Sequence, residues 1–143
     1  MIVVDTSVAY KWTDKNEQLR EKAFAILKAH IHGEVKIIAP ELILYELAKA
    51  WATKTALKFP KIKSNLKDLE DSILQLAPLS FNGLEKAIKF SKKYHVSVYD
   101  ASYAVLAQEN NCDLFTADSK FVKAVNLPFV KHLSVYSSPS KVN

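Results

Sequence analysis

The stretch MIVVDTSV, residues 1–8, decides how the chain is read. Ile2, Val3 and Val4 form a continuous β-branched run, the mark of a short buried strand. The run stops at a carboxylate, Asp5, which two hydroxyls follow, Thr6 and Ser7. An acid there has an ordinary use as a cap for the turn Thr6, Ser7, Val8. It gains a second meaning only if other acids end at the same kind of address.

Outward from this strand, Glu17 to His32 carries Leu19, Ala23, Ile26, Leu27 and Ile31 at helical spacing until Gly33 stops it. Val35 to Ala39 reads as a second strand, and Pro40 suits the first turn of a long helix reaching about Leu57. Pro60 interrupts the pattern. Ile62, Leu66, Leu69, Ile73 and Leu76 then predict an amphipathic helix ending before Pro78, so that Pro40 to Leu76 forms a helical hairpin. Leu79 to Phe81 reads as a brief strand, and Asn82 as the cap of a helix with Leu84, Ala87, Ile88 and Ser91 inside. Ser97 opens a further helix to about Asn110. Asp113 to Thr116 is a strand, Ser119 to Val125 a short helix and Pro128 to Leu133 a last strand. Short apolar strands alternating with helices specify an α/β fold, a parallel sheet with helices on both faces. Residues 1–136 read as one domain and 137–143 as a frayed tail.

Composition sets the remaining bounds. A chain of 143 residues, 49% hydrophobic with 2 glycines, can bury one sizeable core. The single cysteine, Cys112, excludes an intrachain disulfide framework and a cysteine-only metal site, and points to a reducing, cytoplasmic setting. No apolar run approaches the roughly 20 residues of a bilayer span, and the N-terminus lacks a secretory pattern, so neither membrane nor export is expected. A net charge of +5 favours an anionic partner, nucleic acid first. Lysines cluster at Lys54, Lys58, Lys61, Lys63 and Lys67 and again at Lys86, Lys89, Lys92 and Lys93, although each cluster alone also reads as a solvated helix face.

The other acids each have an ordinary reading. Glu41 suits the first turn of its helix. Asp100 completes the capping-box spacing Ser97-x-x-Asp100, and Asp118 can cap the helix from Ser119. Glu46 is harder to place, since it lies mid-helix among Ile43, Leu44, Leu47 and Trp51 and needs a partner such as Lys49 or a position near solvent. Yet Asp5 and Asp118 both lie just beyond strand carboxyl ends, while Asp100 and Glu46 lie near the starts of helices. In an open parallel sheet those positions share one edge, the edge where ligands bind. Carboxylates gathered there repel one another, which a hard divalent cation relieves; oxygen donors suit Mg²⁺ or Mn²⁺. Phosphodiester cleavage by metal-activated water follows as the chemistry, with surrounding lysines to hold the nucleic acid.

Four motifs then resemble one family. VVDTSV, PELILYELAKAW, VYDASYAVLA and LFTADSKF, in that order and spacing over nearly the whole chain, resemble the PIN-domain ribonucleases and, among them, the VapC-like toxins of toxin–antitoxin pairs. The resemblance implies a three-layer sandwich with about five parallel strands and a metal site of Asp5, Glu46, Asp100 and Asp118. It also implies support from the hydroxyls of Thr116 and of Thr6 or Ser7. An endoribonuclease is implied, with an RNA substrate, a small antitoxin as partner and a homodimer. Lys120 stands where many relatives carry a further acid, which leaves one firm metal position.

Two rivals compete with this reading. One is a catalytically silent PIN-like module that binds RNA or protein; the other is a phosphatase with Asp5 as nucleophile, disfavoured because Ser7 stands where such sites want a second acid. His30 and His32 sit at a helix end, where a partly positive imidazole suits the dipole, and His95 and His132 lie far in sequence from a second ligand at short spacing, so all four read as structural or surface residues. Trp12, Trp51, Tyr99 and Tyr103 are candidates for stacking on bases; core or dimer packing is the favoured reading of Trp51, while Tyr99 and Tyr103, near Asp100, remain open.

Overall fold

The computed structural model describes residues 1–54 and 56–139. Five strands, β1 (Ile2–Val4), β2 (Ile37–Pro40), β3 (Gln75–Ala77), β4 (Asp113–Thr116) and β5 (Val130–His132), form one sheet in the order β3-β2-β1-β4-β5. Every pairing is parallel. The helices are α1 (Thr6–Ala9), α2 (Arg20–Ile31), α3 (Leu42–Thr53), α4 (Phe59–Asp71), α5 (Phe81–Tyr94), α6 (Val98–Glu109) and α7 (Ser119–Val125). The chain steps one way from β1 through β2 to β3 and back the other way through β4 to β5. With right-handed crossovers, this reversal puts α1 to α4 on one face and α5 to α7 on the other.

Burial explains why these segments take these forms. Val3, Val4, Ile37, Ile38 and Leu114 are buried in the strands, and Ile43, Leu47 and Trp51 form the inward row of α3. Across the sheet, α6 buries Ala101, Ala104 and Ala107, small residues that let it lie close over β1, β2 and β4, with α5 packed along it. No helix among the described residues is long and apolar enough to cross a membrane.

Several boundaries differ from the sequence reading. Pro40 closes β2 rather than opening a helix: it sits in register with Ala77, and the next residue, Glu41, donates its N–H to the Ala77 carbonyl at 3.0 Å. The helix predicted to run to Leu76 ends at Asp71. Ser72 closes it by donating Oγ to the Leu69 carbonyl at 2.6 Å, and Ile73 turns the chain at φ 51°. The following apolar residues therefore make β3 at 75–77, upstream of the strand expected at 79–81. The inward row of α4 is Ile62, Asn65 and Leu69, leaving Leu66 and Ile73 exposed. Ser80 rather than Asn82 caps α5, accepting from the Gly83 N–H at 3.0 Å. Residues 137–139 of the expected tail have no regular structure, and the rest of that expectation lies outside the described residues.

Candidate active site at the carboxyl edge of the sheet

The strands β1 and β4 are neighbours whose onward connections leave in opposite directions, which opens a crevice beyond their carboxyl ends. Asp5 follows β1 directly. It caps α1, accepting from the Val8 N–H at 3.3 Å, and its Oδ1 also accepts from Ser7 Oγ at 2.5 Å. Ser7 is the bridge to β4: its Oγ accepts the Ala117 N–H at 2.8 Å and lies 3.3 Å from Thr116 Oγ1. Thr116 is fully buried and accepts the Asp118 N–H at 3.1 Å, while Asp118 caps α7 through the Lys120 and Phe121 N–H groups at 3.0 and 3.2 Å. The capping roles foreseen for Asp5 and Asp118 are therefore real, and they fix both acids at the crevice.

A second network holds Glu46. Tyr103 OH donates to its Oε1 at 2.6 Å and Thr6 Oγ1 donates to the same oxygen at 3.0 Å, the two hydroxyls lying 2.9 Å apart. Three elements thus meet on one carboxylate: α1, α3 and α6. Burial and the neighbouring Glu46 push the Tyr103 phenol far above its ordinary value, so it stays a donor. Asp100 lies one turn before Tyr103 on α6, on the same side of the helix. Its helix is capped by Ser97, whose Oγ accepts the Asp100 N–H at 3.0 Å.

Electrostatics ties the two networks together. Desolvation chiefly, and the charge of Asp100 in part, raise the Asp5 carboxyl to about 6 against the opposing hydrogen bonds from Ser7 and Thr116. Asp100 is raised as well, first by desolvation, then by the charge of Asp118 and, after the lowering effect of Ser97, by Glu46. Each of the four acids therefore feels at least one of the others. Among the described residues none of them forms an ion pair, although the chain has 20 Lys and Arg; the Glu46–Lys49 pair considered from sequence does not form. The donors are hard oxygens, as Mg²⁺ or Mn²⁺ requires. Among the described residues no three His, Cys, Asp or Glu side chains are gathered into a ready-made cage. Mg²⁺ usually takes one or two carboxylates and keeps several waters, so the acids fit such an ion without a closed cage.

The partner of Glu46 is a residue that the sequence offers in a different role. Tyr103, a candidate for stacking on bases, is 1% exposed and spends its hydroxyl on Glu46. Its spacing of three residues from Asp100 is the signal that it shares that acid's helix face. Tyr99, at 60% exposure, stays available to solvent. His30 is structural, with Nδ1 accepting the Ile37 N–H at 3.1 Å and Nε2 lying 2.9 Å from the Ser72 carbonyl oxygen.

A doubly wound parallel domain with an acidic crevice at its switch point is the class this geometry defines. The PIN domain family model matches residues 2–127, and the chain belongs to that family, which indicates a nuclease. No curated protein sequence matches it. Among solved structures it is similar to PAE2754 of Pyrobaculum aerophilum, with 19% identity, a TM-score of 0.66, and coverage of 93% of this chain and 90% of that one. It is also similar to the Mycobacterium tuberculosis VapC20, a sarcin-ricin loop cleaving toxin, with 13% identity, a TM-score of 0.70, and coverage of 91% and 97%. A third likeness is to VapBC2 of Rickettsia felis, solved bound to a DNA fragment from its promoter, with 19% identity, a TM-score of 0.69, and coverage of 92% and 98%. At these identities the likenesses establish the fold.

Proposed function

We propose that the chain is a metal-dependent endoribonuclease and the toxin of a toxin–antitoxin pair. The observation that carries this is the set of four crevice acids left, among the described residues, without ion pairs in a chain of net charge +5. Unpaired, mutually repelling carboxylates are unfavourable in a fold unless a cation is part of the working state. Asp5, Glu46, Asp100 and Asp118 would hold Mg²⁺ or Mn²⁺, which when bound supplies an activated water and charge screening for phosphodiester hydrolysis. Ser7 and Thr116 orient Asp5 and Asp118 across the two strand ends, and Thr6 and Tyr103 fix Glu46. The likeness to VapC20, a sarcin-ricin loop cleaving toxin, supports RNA as substrate, and the likeness to VapBC2 supports an antitoxin partner. Leu44, Leu66, Leu69 and Ile73 border a groove of about 550 Å³ between α3 and α4, an exposed apolar surface suited to a protein partner or a second copy.

The deciding experiment incubates the purified protein with structured RNAs in Mg²⁺, Mn²⁺ or chelator. Cleavage is expected with either metal and none with chelator; chelator-resistant cleavage would contradict the proposal. Asp100→Asn is expected to remove cleavage while RNA binding persists, whereas RNA binding without cleavage in the unmodified protein would mark a silent binding module.

Tyr103→Phe is expected to lower the cleavage rate about tenfold. It removes a charge-assisted hydrogen bond, worth roughly 1.5 to 3 kcal/mol in general, while Thr6 still holds Glu46. Rates at saturating and limiting metal should separate: the loss shrinks as metal rises if the phenol acts by placing Glu46.

A further inference from the structure

Beside the acids the crevice continues as an open groove of about 400 Å³, lined among others by Thr6, Ser7, Asp118, Ala50, Glu17 and Lys11. Lys11 is an unusual residue for such a place. It lies in the 3-10 turn Tyr10–Trp12 that follows α1 and is only 7% exposed, a level of burial that lysine seldom reaches without a close partner. Among the described residues its acid partner is Glu17, with Nζ to Oε2 at 3.8 Å, beyond hydrogen-bond length. The neighbouring Lys54 is differently placed, half-exposed and hydrogen-bonded to Asp14 at 3.3 Å.

We propose that Lys11 binds a backbone phosphate of the RNA substrate, and that Glu17 holds the ammonium loosely until the phosphate displaces it. The inference rests on the nuclease reading and assigns a side-chain cation to an acidic site whose acids have none partnered to them among the described residues. An RNA strand laid over four carboxylates is repelled wherever no metal covers them, so a cation fixed at the rim determines where the strand enters. Burial of the stem keeps Lys11 from sampling many rotamers, so little side-chain freedom is lost when the phosphate arrives. Ala50, one helical turn beyond Glu46 on α3, leaves the groove open between the acids and the lysine.

The test measures RNA binding in the Asp100→Asn background, where the strand is not cut, with and without Lys11→Met. Expected are five- to twentyfold weaker binding at low salt and a plot of log affinity against log salt that is shallower by about 0.7, the share of one phosphate contact on a single strand. Lys11→Arg should restore the slope. Equal affinity and slope in Lys11→Met and its parent would overturn the proposal. If Lys11→Met does not fold, Glu17→Gln decides: binding several-fold tighter supports the assignment, and unchanged binding overturns it. Failure of the nuclease reading looks different, since the unmodified protein would then cut no RNA under any metal.

Discussion

Asp5→Asn is expected to lower RNA cleavage on the order of a thousandfold and, in metal-free protein at pH 7, to stabilise the fold. Both effects come from one placement. Asp5 is 4% exposed, accepts from Ser7 and Val8, and has no cation beside it among the described residues. Its carboxyl rises from an ordinary 3.8 to about 6, so the folded protein binds that proton more tightly than the unfolded chain does. A raised folded value gives stability that is fully present below pH 3.8 and is lost as pH climbs through about 6. At pH 7 the ionised acid thus costs no more than about 3 kcal/mol, since each tenfold change in proton affinity is worth about 1.4 kcal/mol. Asparagine keeps an acceptor for Ser7 and Val8 and removes the charge. Denaturant unfolding of metal-free protein at pH 4 and pH 7 should show the Asp5-dependent loss of stability in the unmodified chain and its absence in the variant. Adding Mn²⁺ should raise the midpoint of the unmodified chain more than that of the variant. A variant as unstable as its parent at pH 7 would remove the account of Asp5 as a repelled acid awaiting a cation.

The same placement explains what could be seen in the sequence. β1, β4 and α7 stand at their predicted bounds because each is short, apolar and bracketed by unambiguous capping or turn residues, Asp5 after the first strand and Asp118 before the last helix. The region from Pro40 to Phe81 departs from its sequence reading for a physical reason. Ile73 and Leu76 continue the helical spacing of Ile62, Leu66 and Leu69, and only the turn at Ser72 and Ile73, set by hydrogen bonding and a left-handed backbone, ends the helix. Periodicity carries no trace of that turn. The shared edge of the acids was legible because strand ends and helix starts define an address in sequence. The partners that fix them were less so: Tyr103 reaches Glu46 from 57 residues away, and Lys11 has only its apolar flanks, Tyr10 and Trp12, to mark it as buried.

Caps, hydroxyls and acids at the crevice form one arrangement rather than two superimposed ones. A capping aspartate is normally explained once its N–H groups are satisfied. Asp118 satisfies two and Asp5 one, yet Asp5 stays buried and both keep charges that raise Asp100 or are raised by it. Capping therefore supplies rigidity, since each acid is held by the first turn of a helix whose other end is packed in the core, and the net unfavourable charge is what the proposed metal site would use.

The largest structural effect is expected at Trp51, for which the sequence allows core packing, a dimer face or a platform for bases. It is 1% exposed, and its indole N–H donates to Thr13 Oγ1 at 3.1 Å. Thr13 directly follows the turn that carries Lys11, so the indole pins α3 to the segment joining α1 and α2. Trp51→Ala removes a fully buried aromatic and should cost about 3 to 5 kcal/mol, the usual range for that deletion. Glu46, five residues earlier on α3, remains tied to Tyr103 and Thr6, so cleavage by the fraction still folded should fall far less than it does for Asp5→Asn. Urea unfolding and cleavage assays run well below the lowered midpoint separate the two quantities. Unchanged stability with lost RNA binding would instead make Trp51 a base platform, and unchanged stability with loss of a dimer would make it an interface residue; either result requires α3 to sit differently, and Glu46 with it.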